Sequence, residues 1–265
     1  MPSLPTVMPY LFDTHCHLDF PQFSDDIDSH LTQASEVGVE RILVPATGPD
    51  NWSRVSELSQ RYSQVYYSLG FHPYFLSRYD FGSFVELEAK LASANTCCVA
   101  VGECGLDGKV DVDAGIQEQF LLAQFTLAQQ GKWPLILHAS NAHNRLIQLL
   151  KRHKVSVGGV LHGFSGSYQQ AMAYVDLGFK IGVGGTITYP RANKTRRTIT
   201  QLATEHLVLE TDSPDMPLFG YQGRNNHPKM LPNILRELSL LKNESESSLV
   251  ATLCKTSNQA FGLDI

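Results

Sequence analysis

The stretch LFDTHCHLDF, residues 11–20, decides how the rest of the chain is read. Its apolar start reads as a buried strand, yet it runs into an acid and two histidines. His15 and His17 are two apart, so on a strand their imidazoles share one face while Cys16 points to the other. Two readings are open for such a pair taken alone. They are hydrogen-bonded structural histidines, or they are metal ligands, since neutral imidazole is the commonest protein ligand for metals. The stretch also weighs against one fold. A doubly wound sheet runs from its first strand into a glycine-rich phosphate loop, and DTHCHLDF is no such loop.

Working outward, apolar runs rich in Val, Ile and Leu recur at 11–15, 39–46, 65–71, 97–103, 134–138, 157–162, 179–187 and 206–212. They lack polar alternation, as strands covered on both faces do. Between them lie segments of helical period at 24–37, 51–63, 81–94, 115–131, 141–153, 167–177, 192–204 and 228–242, with a last one near 245–260. In 115–131, Phe120, Leu121, Gln124, Phe125 and Ala128 recur at helical spacing and Gly131 stops the run. In 141–153, Asn141 is the expected N-cap and Leu146, Leu149 and Leu150 share a face. Eight strand–helix units predict an α/β fold, a (β/α)8 TIM barrel, ahead of an open doubly wound sheet. No linker or composition break divides residues 1–265, so a single domain is expected. Residues 1–9 read as a disordered leader, and Met8 as an alternative start.

Of 265 residues, 43% are hydrophobic and 18% charged, enough to bury a sizeable core, and the net charge is −5. That charge argues against coating nucleic acid by electrostatics alone, though a local basic patch stays open. No apolar run approaches the roughly 20 residues a membrane span needs, and the N-terminus has no signal-peptide pattern. The five cysteines are odd in number and form no C-x-x-C. They read as small core residues of a cytoplasmic protein.

Active sites of such barrels sit at the C-terminal strand ends. Six of the eight expected ends carry histidine or carboxylate: His15 and His17, then His72, Glu103 with Asp107 beyond, His138, His162, and finally Glu210 and Asp212. His206 alone opens a strand. Structural histidines have no reason to gather at one end of every strand, so the histidines of the opening stretch read as metal ligands. A nitrogen-and-oxygen set without sulfur suits Zn, Mn, Ni or Co better than Mg or Ca alone. Six ligands exceed the three that hold one catalytic zinc. Two divalent ions sharing a carboxylate account for the surplus, clamping both reacting oxygens and lowering the pKa of a shared water. His15, His17 and Asp212 are assigned to the first ion, His138 and His162 to the second, with Glu103 between them. Asp212 is also placed to accept the proton of the attacking water.

The motifs DTHCHLD, GECGLD, PLILHAS, LHGFSG and LETDSP, in that order and joined by GFHP and SNQAFGL, closely resemble the TatD family of metal-dependent hydrolases, a branch of the amidohydrolase-like barrels. Within it the chain looks most like the YjjV-type branch. The resemblance implies a divalent-metal hydrolase, with DNA 3′-end exonuclease activity known for some members. It carries the ligand roles onto His15, His17, Glu103, His138, His162 and Asp212. Two departures stand out. The family's tyrosine and arginine after the strand-four motif are replaced in GLDGKVDVD, and its arginine–aspartate pair after the strand-five histidine by Ser140 and Asn141. An arginine there would grip phosphate bidentately, so its absence weighs against a nuclease more than against a hydrolase.

Other cations stand on the last two loops, where barrels often bind phosphate. TITYPRANKTRR supplies Arg191, Lys194, Arg196 and Arg197, and GYQGRNNHPK supplies Arg224, His227 and Lys229. Arg196 and Arg197 read as solvating a helix surface, whereas Arg191 and Lys194 are taken as substrate-binding. Tyr189, Phe219 and Tyr221 either stack on a base or simply pack. His72 is a support for the ligands or a substrate contact. The expected reaction is phosphoester hydrolysis, of a DNA end or a small phosphorylated metabolite. The alternative is amidohydrolase-type cleavage of a C–N or ester bond in a small molecule. Related binuclear amidohydrolases often place a carboxylated lysine on strand four, where this chain has Glu103, and that favours the first. A non-catalytic metal-binding scaffold has little support from so complete a ligand set.

Overall fold

Eight short parallel strands follow the eight apolar runs in this computed structural model, which describes residues 8–264. They are β1 (Leu11–Asp13), β2 (Val39–Pro45), β3 (Val65–Leu69), β4 (Cys98–Asp107), β5 (Leu135–Ser140), β6 (Gly159–Leu161), β7 (Phe179–Val183) and β8 (Leu207–Leu209). Each is hydrogen-bonded in parallel to the next in sequence order. The outer layer is α1 (Ile27–Ser35), α2 (Pro49–Arg61), α3 (Phe84–Ala92), α4 (Ala114–Gly131), α5 (His143–Arg152), α6 (Tyr168–Val175), α7 (Asn193–Gln201), α8 (Leu231–Lys242) and α9 (Glu246–Ala260). The protein is a single-domain TIM barrel, nearly closed. None of its described helices is long and apolar enough to cross a membrane.

Alternation along the strands sorts the core into two parts. Ile42 and Val44 of β2, Leu135 and Leu137 of β5, and Leu207 and Leu209 of β8 join the large cluster between barrel and helices. Their neighbours Leu43, Ile136 and Val208, with Phe12 and Val160, form a smaller cluster inside the barrel. Period two carries that inward face up to the C-terminal rim: His138, His162 and Glu210 come two residues after Ile136, Val160 and Val208. Phe261, just past α9, closes the opposite end against Phe12, ring centroids 5.9 Å apart.

Closure between the first and last strands rests on few atoms. Thr14 N–H and hydroxyl both donate to Leu209 O, at 3.0 and 2.9 Å, and Cys16 bridges Ser213. Asp13, fully buried, completes the join: its Oδ1 accepts the Thr211 N–H at 2.9 Å and its Oδ2 the Thr211 hydroxyl at 2.6 Å. Burial pushes the Asp13 carboxyl up to about 7 while the Thr211 bonds pull it back.

Several boundaries differ from expectation. Asn141 is not the N-cap of α5; Ala142 is, and Asn141 adopts a left-handed φ of 51°. Because β5 runs on through Ser140, the chain must turn sharply before helix can begin, and Asn tolerates that conformation better than most residues. Gly131 is the last residue of α4, but Lys132 takes the left-handed cap, φ 56°. Gly131 is small for another reason: a β-carbon there would lie 2.3 Å from the Trp133 ring. The run 179–187 stops as a strand at Val183 and turns through a 3-10 segment, Gly185–Thr188. The leader expected over 1–9 lies outside the described residues except for Met8 and Pro9, which are exposed.

Thr211→Val keeps nearly the same shape but removes the hydroxyl that Asp13 and Ser213 share. Leaving a buried acceptor unpaired costs about 1–3 kcal/mol. Urea unfolding should show a lower midpoint at unchanged slope; an unchanged midpoint would deny the join its stabilising role.

Candidate active site

Glu103 sits at the centre of the rim with five imidazoles around it. Its Oε2 is 3.1 Å from His15 Nε2 and 3.7 Å from His17 Nε2. Its Oε1 is 2.7 Å from His162 Nε2, 3.0 Å from His72 Nε2 and 3.1 Å from His138 Nδ1. Asp212 Oδ1 faces the first two histidines at 3.7 and 3.9 Å. The structure therefore brings together all six residues assigned as ligands, and places His72, left open as a support or a substrate contact, against the same carboxylate.

Local backbone explains how Glu103 gets there. The β4–β5 pairing shifts register between Val101 and Cys104, which turns the Glu103 side chain inward. Gly102 has φ +138°, and a β-carbon on it would lie 2.6 Å from Ile136 O. Only glycine allows the chain that close to β5. His72 is aimed by its own turn: its Nδ1 accepts the Tyr74 N–H at 3.0 Å, leaving Nε2 toward Glu103. His138 is aimed by Asp107, whose Oδ2 lies 3.2 Å from Nε2.

Close as they are, these atoms do not satisfy one another. Both Glu103 oxygens, both His15 nitrogens and Nδ1 of His17 and of His162 are buried without a hydrogen-bond partner. Buried polar atoms are costly when unpaired. Glu103 Oε2 and His15 Nε2, both unpaired and 3.1 Å apart, are what a cation would satisfy. Among the described residues, three groups have ligand atoms within 4.8 Å of one another: His15–His17–Asp212, His72–Glu103–His138 and His15–His162–Glu210. The donor set is nitrogen and carboxylate oxygen, and it fits a divalent metal.

In the protein alone, protons must do the cation's work. Burial works to raise the Glu103 carboxyl, but His162, His72 and His15 outweigh it and hold it well below the usual carboxylate range. Burial lowers His162 less than Glu103 raises it, so it is carried up to about 10. Burial drives His15 well below the ordinary imidazole value, helped by His162, and brings His17 down to about 4. Burial lifts Asp212 up to about 7 and Glu210 up to about 8. A divalent ion would replace these protons, because metal binding displaces them from its ligands.

His15, His17 and Asp212 cluster together, and His138 Nδ1 lies 3.0 Å from His162 Nε2. The groups overlap: His138 also gathers with His72 and Glu103, and His162 with His15 and Glu210. Glu210 stood at an expected strand end; the Val208–Glu210 alternation was the signal that puts it inside. Of the cations, Lys194 lines a cleft that opens from His138, His162 and Asp212. Arg191 does not. Its guanidinium lies over the Tyr189 ring, 5.6 Å from the centroid, in an adjoining hollow with Phe219. Arg196 is no mere solvated surface residue, since it pairs with Glu237 at 2.6 Å and ties α7 to α8. Sequence reading missed Lys109 and Arg145, which line the same cleft.

A divalent ion held at such a rim would activate water and polarise a substrate, which is the chemistry of a metal-dependent hydrolase. The comparisons carry this further. The family model described as TatD related DNase matches residues 12–262. The metal-dependent hydrolase YjjV of Escherichia coli K12 is 44% identical over 252 residues, 95% of this chain and 97% of that protein. The crystal structure of YjjV superposes with a TM-score of 0.91 at 42% identity, covering 96% of this chain and 98% of the other. The 3′-5′ ssDNA/RNA exonuclease TatD of Salmonella typhimurium is 32% identical over 249 residues, 91% of this chain and 95% of its own. The chain belongs to the TatD-related DNase family and is a metal-dependent hydrolase.

Protein stripped with a chelator should gain melting temperature when Zn²⁺ or Mn²⁺ is restored. At a hundredfold excess over Kd the gain is about 2.7 kcal/mol. Glu103→Gln should lose most of it. A melting temperature that never moves across the titration would mean that the rim holds no ion.

Proposed function

We propose that the protein hydrolyses phosphoesters, at a nucleic-acid 3′ end or in a small phosphorylated metabolite, with two divalent ions at the rim. His15, His17 and Asp212 would hold one, His138 and His162 with His72 the other, and Glu103 would be shared. Bound there, the ions would acidify a water and polarise a phosphoryl oxygen. The observation that carries the reading is the cleft of about 740 Å³ that opens from His138, His162 and Asp212 and is lined by Lys109, Arg145 and Lys194. Anionic substrate suits such a wall; a neutral amide has no use for it. The exonuclease named among the relatives supports the same reading.

The chain's own residues then divide the work. Asp212, with 19% of its side chain exposed, is the ligand carboxylate open to the cleft and takes the proton of the attacking water at Oδ1. Glu103 stays buried and fixed, held by β4. Lys194 binds phosphate oxygens from the first turn of α7, and Arg191, further out on the same loop, contributes less. Arg145 is already engaged by Glu118 at 2.6 Å, so it adds little free charge. The five cysteines are free, as a reducing compartment keeps them, and we place the enzyme in the cytoplasm.

Reconstitution with each divalent metal and a screen of generic phosphoester, amide and carboxylic ester substrates tests the class; turnover of amides or carboxylic esters alone would refute it. Within that screen Asp212→Asn should lower kcat by at least about 100-fold, the usual contribution of a general base, while the urea midpoint barely moves. A mutant that keeps most of its kcat at saturating metal would overturn the role.

Lys194→Ala should raise KM about 10-fold with kcat near wild type, the signature of binding lost equally in ground and transition states. Arg191→Ala should raise it less. On a single-stranded substrate each lost phosphate contact flattens the salt slope by about 0.7. Unaltered KM in both would remove this loop from the binding site.

A further inference from the structure

Two openings meet at His138, His162 and Asp212, and they differ in chemistry. One is the cation-lined cleft. The other, about 360 Å³, is lined by Phe20, Tyr74 and Phe75 together with Asp107 and Asp215, with no lysine or arginine among the described residues lining it. Tyr74 is 59% exposed although it stands next to the ligand His72. No core needs it there, and an exposed aromatic beside a reaction centre calls for a partner. Phe75 packs on it edge-on, centroids 5.0 Å apart. Phe20 stacks on His17 at 4.5 Å, so the second aromatic wall is fixed to a ligand as well.

From this asymmetry, and resting on the phosphoester reading above, we propose that the aromatic hollow is a subsite for the terminal nucleoside of a single-stranded substrate, whose phosphate-bearing chain lies in the cleft. Like charge keeps phosphates away from Asp107 and Asp215, whereas a neutral planar base suits aromatic walls. The Nδ1 bond of His72 to the Tyr74 N–H locks the aromatic turn to Glu103's surroundings, so a stacked base would set the position of its own phosphate. The bond cut joins the last nucleotide to the chain. Water oxygen bonds to phosphorus, the P–O3′ bond of the neighbouring residue breaks, and that O3′ leaves carrying a proton. The product is a nucleoside 5′-monophosphate.

The test is calorimetric affinity of the metal-loaded protein for thymidine 5′-monophosphate against 2-deoxyribose 5-phosphate, which has a hydroxyl in place of the base. Wild type should favour the nucleotide about 10-fold, as one stacked base provides, and Tyr74→Ala should bring the ratio to within twofold. Phe219→Ala, on the hollow beside Tyr189, should leave the ratio as it is. Equal affinities in wild type, a ratio unmoved by Tyr74→Ala, or a ratio lost in Phe219→Ala would each overturn the subsite. Phosphoester turnover with equal affinities would sink the subsite alone. A clear base preference without turnover of any phosphoester would sink the reaction and leave the subsite standing.

Discussion

The join between β8 and β1 is the constraint on which the site depends. Each of these strands has only three residues, too few for a ladder of its own. Thr14 on Leu209 and Asp13 on Thr211 supply what the ladder cannot. The same join sets the register of the ligands that flank it. His17 N–H donates to Ser213 O at 2.7 Å, and Asp212 N–H to His15 O at 2.8 Å. The main chains carrying His15, His17 and Asp212 are therefore laced together directly. A buried carboxylate is a costly clasp, yet its oxygens are occupied by three donors, the third being His15 N–H at 3.3 Å. Closure of the barrel and assembly of half the ligand set are one event.

Glu103 represents the opposite kind of buried charge. Asp13 is satisfied by hydrogen bonds; Glu103 is surrounded by nitrogen atoms that do not donate to it properly. A fold that wanted only stability would replace this cluster with packed apolar side chains, because isolated buried charge is expensive. Retaining it makes sense where the missing partner comes from outside. The rest of the barrel supports the expense, with eight strands, two apolar clusters and helices capped by Asp26, Asp113, Ser167 and Ser245.

Much of this was legible in the sequence, and for physical reasons. Strands buried on both faces must be apolar throughout, so a polar residue at the end of such a run marks where the strand leaves the core. That logic located His15, His17, Glu103, His138, His162 and Asp212 without any coordinates. What it did not supply is Glu210 as a neighbour of His162, because which strand ends meet depends on how strands tilt around the barrel. The two positions are 48 apart in sequence. Arg191 and Lys194 are three residues apart and read alike, but a helix start lies between them and sends them to different hollows. Asn141 looked like a cap because composition marks a turn without saying on which side of it the helix begins. The Asp13–Thr211 contact links positions 198 apart, and no local pattern announces it.

Phe261 bears on the order in which the molecule can be made. It seals the barrel floor against Phe12, and Tyr10 reaches Asn258 of α9 at 3.1 Å. Contacts so distant in sequence form late, since the loop between them must close first. A chain emerging from the ribosome thus carries His15 and His17 for most of its synthesis with neither Asp212 opposite them nor a floor beneath. Such a nascent segment can offer an ion two histidines but never the enclosed set, so the metal centre belongs to the finished barrel and not to any part of it.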